Sequence, residues 1–151
     1  MNQKSPLRRR IVKPVPLSLT YDDGNGGSFT EHYRLAFDLN SMALFEEETG
    51  MNMFKEIGTV LSTASVTVIT ALLWAGLQMY HSDYAGHEGL EVIRANVVLP
   101  QFGAIMEACM EAFLEQLPKD QQEKIRAAAN ARVNGEVKET PLAQPDAPTE
   151  K

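Results

Sequence analysis

The sequence is poor in the residues that most often do covalent or metal chemistry. It has a single cysteine, Cys109, so no intramolecular disulfide can form, and a single tryptophan, Trp74. A lone cysteine suits a reducing compartment such as the cytoplasm. Three histidines leave little for a metal cluster. His81 and His87 are not spaced to share a helical face, and no cysteine is near them, so with Asp83 they read as polar residues of an interhelix loop. No serine sits in a nucleophile elbow. Gly24, Gly26 and Gly27 lack the spacing and the following helix of a phosphate-binding loop. Asp23 and Asn25 occupy the first and third positions of a calcium loop. Gly27, however, stands where a ligand is wanted, Ser28 where glycine is needed, and Arg34 where the glutamate belongs. Glu46, Glu47 and Glu48 are adjacent in a helical pattern and diverge, which suits a solvated face rather than an acid/base pair. Cys109 lies inside an apolar stripe, where a thiol is inert. These exclusions point away from an enzyme and call for no cofactor or metal.

Positive charge is scarce over most of the chain. Lys4, Arg8, Arg9, Arg10 and Lys13 are five of the fourteen bases; the other nine stand against all twenty acids, a net of −11. A body so acidic repels phosphate backbones, which argues against a nucleic-acid-binding domain, although the basic arm alone could touch an anionic partner. The arginines lead into Ile11-Val12-Lys13-Pro14 rather than an apolar run, so the start does not read as a signal peptide. At 151 residues, with 44% hydrophobic and 23% charged side chains, the chain can bury one globular core without staples.

Residues 1–13 read as a basic flexible arm, 14–133 as one hairpin-plus-helices domain, and 134–151, rich in Pro, Glu, Thr and Gln, as a disordered tail. Val15 to Tyr21 alternates apolar and polar, with Pro16 at its edge. Asp22 to Gly27 is turn-forming. Phe29 to Phe37 alternates again, with Phe29, Glu31, Tyr33, Leu35 and Phe37 on one side. Asn40 is read as the N-cap of a short helix through Phe45, stopped at Thr49-Gly50. Asn52 caps another carrying Phe54, Ile57 and Leu61, and Ser62 or Thr63 caps a longer helix to about Tyr80. Leu90, Ile93 and Val97 mark a helix ended or kinked near Pro100. Phe102 to Leu117 carries an apolar stripe closed by Pro118. Asp120 with Glu123 suggests a capping box opening a last helix to about Arg132. The fold class is α+β: an N-terminal β-hairpin followed by a compact bundle of four to six short helices.

Ile57 to Tyr80 holds no charged side chain. Its length suits a membrane span, so a single-pass membrane protein is one alternative. Against it, Thr63, Thr67, Thr70, Trp74 and Gln78 form a polar stripe. A Gly/Ser/Thr cluster from Gly58 to Ser65 suggests a break between two helices, and neither end carries a basic cluster. A short helix followed by a packed one is the better reading, with a membrane role disfavoured.

Three segments then carry a resemblance: Arg34-Leu-Ala-Phe-Asp-Leu-Asn40, Phe45-Glu-Glu-Glu-Thr-Gly50 and Ala71-Leu-Leu-Trp-Ala-Gly-Leu77. In order and spacing the chain resembles the tail assembly chaperones of long-tailed, non-contractile bacteriophages and of gene transfer agents, over roughly residues 15–117. The resemblance implies a non-enzymatic protein of the host cytoplasm. Its partners would be the tape measure protein, whose apolar surface it keeps soluble, and the major tail-tube protein; self-association is left open. It further implies absence from the finished virion and, in many members, a longer frameshifted product. Phe37, Asn40, Phe45, Gly50, Leu73, Trp74, Gly76 and Leu77 are the motif residues, expected to serve the core or a partner-binding surface. Met51, Met53, Met79, Met106 and Met110 are candidate adaptable contacts, with core filling the plainer role for each. A structural virion component such as a head–tail connector is a further alternative.

Overall fold

The computed structural model describes residues 12–62 and 65–133, so the basic arm as far as Ile11 and the tail from Asn134 lie outside the described residues. Among the described residues the chain forms a two-stranded hairpin, then six α-helices and two short 3-10 turns, an α+β arrangement. It divides into two compact units, the first ending at Gln116 and the second beginning at Leu117.

Strands β1 (Val15–Asp22) and β2 (Ser28–Leu35) pair antiparallel, from Val15 opposite Leu35 to Asp22 opposite Ser28. Aspartates close the loop. Asp22 Oδ1 accepts the Gly24 N–H at 2.8 Å, and Asp23 Oδ1 accepts those of Asn25 and Gly27 at 2.8 and 3.0 Å. Gly24 and Gly26 take φ of 82° and 86°, conformations a side chain resists. One hairpin face buries Leu17, Leu19, Tyr33 and Leu35; the other pairs Ser18 with His32 and Thr20 with Thr30 in the open.

The strand stops earlier than its alternation suggests. Leu35, Ala36 and Phe37 are all fully buried, because the chain leaves the hairpin there and the Ala36 N–H turns to the Gly76 carbonyl at 3.0 Å. Helix α1 (Leu39–Thr49) is capped by Asp38 and not by Asn40. Asp38 is still extended, and its Oδ1 accepts the Ser41 N–H at 2.9 Å, whereas Asn40 is already helical and exposed. Gly50, at φ 72°, ends α1 by donating its N–H to the Glu46 carbonyl at 2.7 Å.

Helix α2 (Met53–Ser62) opens on a reciprocal cap. Asn52 Oδ1 accepts the Lys55 N–H at 3.0 Å, and Glu56 Oε2 accepts the Asn52 N–H at 2.7 Å. Because α2 runs through Ser62, helix α3 (Val66–Leu77) starts later than the expected cap at Ser62 or Thr63; Ser65 caps it instead. Every residue of α3 from Val68 to Leu77 is buried. It is the central helix, packed by β2 and α1 and by the helices over Gly86–Asn96 and Phe102–Leu114. Ile57–Tyr80 is therefore two helices around a break. Among the described residues no single helix is long and apolar enough to cross a membrane.

A 3-10 turn at Ser82–Tyr84 leads to α4 (Gly86–Asn96), whose end at Val97 precedes Pro100. Pro100 thus neither ends nor kinks α4. It sits in the first turn of the next helical segment, the 3-10 turn Leu99–Gln101 running into α5 (Phe102–Leu114), where its missing N–H costs nothing. Gln101 fastens this break to the hairpin: its Oε1 accepts the Val98 N–H and its Nε2 donates to the Thr20 carbonyl, each at 2.9 Å. Helix α5 buries Ile105, Ala108, Cys109, Ala112, Phe113 and Leu114 and ends there, before Leu117 and Pro118. In the second unit α6 (Lys119–Val133) begins one residue before Asp120, which lies in its first turn rather than at its cap. The Pro118 carbonyl accepts the N–H groups of Gln121 and Gln122 at 3.0 Å.

Candidate functional site

Six of the eight motif residues, Phe37, Phe45, Leu73, Trp74, Gly76 and Leu77, are buried within the first unit. Phe37 lies against Gly76: a Cβ there would sit 3.2 Å from Phe37 Cζ and 3.4 Å from Leu35 Cδ2. A glycine at this position lets the end of the hairpin approach the backbone of α3. Phe45 is fully buried on α1, which packs on α3, and Leu73, Trp74 and Leu77 are buried along α3. The Trp74 indole N–H lies 3.0 Å from both the Tyr84 and Gly86 carbonyls. Asn40 and Gly50 alone of these residues are exposed, in the first turn of α1 and at its cap. Most of the motif set is thus framework, inaccessible to another protein from outside.

Of the expected polar stripe, Thr70 and Trp74 are buried and Gln78 is half-buried, whereas Thr67 is exposed and Thr63 lies outside the described residues. Thr70 Oγ1 donates to the Val66 carbonyl at 2.7 Å and accepts from Arg94 Nε at 3.1 Å. Gln78 Nε2 donates to the Trp74 and Tyr84 carbonyls at 2.9 and 2.8 Å. The stripe binds α3 to α4 and to the turn before it, which is why uncharged but hydrogen-bonding residues occupy it. Glu48 adds a looser tie between α1 and α4, 3.7 Å from His87 Nδ1 and 3.8 Å from Arg94. That contact makes Glu48 more than part of a solvated face.

An open cleft of about 240 Å3 lies between the hairpin and α4. Leu73 and Leu77 form its floor; Tyr21, Phe29, Glu31 and Tyr33 line the hairpin side, and Val92, Ile93, Asn96 and Val97 the helix side. Tyr21 stacks on Phe29 with ring centroids 5.4 Å apart, and the Tyr21 and Tyr33 hydroxyls are 2.9 Å apart. Tyr84 closes one end, edge-on to Tyr33 at 6.2 Å. Burial, and then hydrogen bonding to Tyr21 and Tyr84, raises the Tyr33 phenol far above its usual range. Burial likewise raises Tyr21, more than its hydrogen bond with Tyr33 lowers it. Both hydroxyls are neutral near pH 7 and act as hydrogen-bonding groups rather than as acids or bases.

The sequence reading did not single out this cleft. The available signal was the turn: once Asp22–Gly27 fixes the register, Tyr21 must face Phe29 and Tyr33 must share their side. What remained hidden was that α4 returns beside that face. Of the residues weighed as metal ligands, His87 lies exposed on α4, Asp83 is exposed in the turn before it, and His81 makes structural contacts. His81 Nε2 accepts the Arg34 N–H at 2.9 Å, and the ring meets Tyr33 edge-on at 5.7 Å. Among the described residues no group of three His, Cys, Asp or Glu is placed to hold a metal ion. Cys109 is buried, and its burial raises the thiol well above its usual range, which suppresses the thiolate.

Exposed apolar side chains are Leu39, Leu99, Val66, Val98, Phe54, Val92 and Phe29, the first two at 75% and 70%. The methionines contribute less: Met53 is buried, and Met51, Met79, Met106 and Met110 are half-buried. No protein-family model, curated protein or solved structure matches the chain.

Proposed function

We propose that the chain is a tail assembly chaperone of the kind used by long-tailed, non-contractile phages. In this reading it acts in the host cytoplasm, binds the tape measure protein, and helps recruit tail-tube subunits during tail morphogenesis. It does so by contact alone, without catalysis or a cofactor.

The observation that carries the reading is the order and spacing of the three motif segments, Arg34–Asn40, Phe45–Gly50 and Ala71–Leu77. Their packing supports treating them as one signature. Phe37 of the first rests on Gly76 of the third, and α1, which holds Phe45, packs on α3. Two features suit a client-binding role. The acidic body stays soluble by charge, and the exposed Leu, Val and Phe side chains give apolar surface to offer a helical client.

Co-expression with the tape measure and tail-tube proteins of the same genome tests the reading. The expected result is that the tape measure protein stays soluble and co-purifies with this chain, and that finished particles lack it by mass spectrometry. If the chain captures neither protein and its loss leaves tail length and yield unchanged, the reading is wrong.

A further inference from the structure

We propose that the cleft between the hairpin and α4 is an anchor pocket for one basic side chain, arginine or lysine, carried on an apolar segment of a partner protein. The inference stands apart from the chaperone reading, since it concerns the chemistry of the cleft and not the identity of the partner.

Three observations converge on it. The first is charge. Among the described residues Glu31 is the one charged residue lining the cleft, and no described lysine or arginine lines it. Its carboxylate is close enough to Tyr21 to contribute to holding that phenol protonated. A cation entering the cleft meets a carboxylate and, among the described residues, no base that lines it to compete, whereas an anion meets repulsion.

The second is the wall. The rings of Tyr21, Phe29 and Tyr33 offer π-faces and edges to a cationic head, and Leu73, Leu77 and Val92 give an aliphatic stem apolar surface to lie on. The phenol pair is satisfied by its own 2.9 Å hydrogen bond while its lone pairs can still accept from a guanidinium or ammonium.

The third is size and rim. At about 240 Å3 the cleft is smaller than small-molecule sites, which span roughly 300–1,000 Å3. Its two lips, Phe29 and Val92, are apolar and half exposed, at 48% and 49%. A free amine would leave those lips in water. A side chain projecting from a peptide would cover them with its neighbours, the arrangement in which a basic anchor sits in a pocket ringed by apolar contacts.

The test is a titration of the full chain, followed by NMR shifts of its aromatic and methyl groups. The probes are a short peptide with a central arginine flanked by leucines, its Arg→Gln and Arg→Glu forms, and n-butylguanidinium. The arginine peptide is expected to bind tightest and to shift Tyr21, Tyr33, Val92 and Ile93. The glutamine form should be about fivefold weaker and the glutamate form weaker still. The variant Glu31→Gln changes an exposed side chain and should remove the preference for arginine over glutamine. Equal binding of the three peptides overturns the proposal. So do shifts mapping elsewhere, or butylguanidinium binding as tightly as the arginine peptide, which would make the cleft a small-cation site.

Discussion

The Tyr84 carbonyl shows how one backbone atom sets several residue choices. It lies 3.0 Å from the Trp74 indole nitrogen and 2.8 Å from Gln78 Nε2, and a Cβ at Gly89 would collide with it. Trp74 and Gln78 are there as donors, and Gly89 is there as an absence of side chain in the first turns of α4. His81, three residues earlier, makes the neighbouring tie as an acceptor of the Arg34 N–H, which requires Nε2 to be unprotonated. Burial, and then the Arg34 guanidinium, push its pKa below the ordinary imidazole range, against a smaller pull from Asp83. The unfolded chain therefore binds a proton near pH 6.5 that the folded chain refuses, so stability falls as pH drops through about 7.5 to 5.5. Urea unfolding at those two pH values should show this loss, and His81→Gln, whose amide oxygen can still accept from Arg34, should flatten it. Equal pH slopes in the two proteins would refute the account.

At the scale of elements, the hairpin, the stop of α1 and the cap of α2 were legible because their signals are local. Asp22–Gly27 supplies its own side-chain acceptors and positive-φ glycines, Gly50 ends α1 at the residue read as its stop, and Asn52 caps α2. The start of α1 was misplaced because Asp38 and Asn40 are both competent caps two residues apart. The choice depends on where the chain turns off the hairpin, and the Ala36–Gly76 hydrogen bond sets that place from far along the sequence. For the same reason the cleft could not be read from sequence: its hairpin wall follows from register, but its other wall depends on the return of α4. The cap assignment has a direct consequence. Asp38→Ala should cost about 1 kcal/mol, through loss of the acceptor for the Ser41 N–H and hydroxyl, while Asn40→Ala should change stability by less than about 0.5 kcal/mol. Chemical denaturation of both variants checks the ranking, and a larger loss for Asn40→Ala would reverse it.

At the scale of the whole molecule, apolar burial among the described residues is confined to the first unit. The core runs from Val12 to Leu114, with α3 at its centre, and among the described residues nothing beyond Leu114 is buried. In the second unit, among the residues of α6 whose exposure is described, Gln122, Ile125 and Ala131 are half-buried and the rest are exposed. Its fifteen residues are near the length below which an isolated helix is marginal in water. Both facts make the first unit the source of the cooperative unfolding transition. A chain ended after Gln116 should keep its thermal midpoint within about 2 °C of the full chain while losing the far-ultraviolet helix signal of α6. In the full chain, the amides of α6 should exchange with solvent far faster than those of α3, whose opening requires the whole core to unfold. A midpoint lowered by more than about 5 °C on truncation, or α6 amides as protected as those of α3, would mean that the second unit carries part of the folding energy after all.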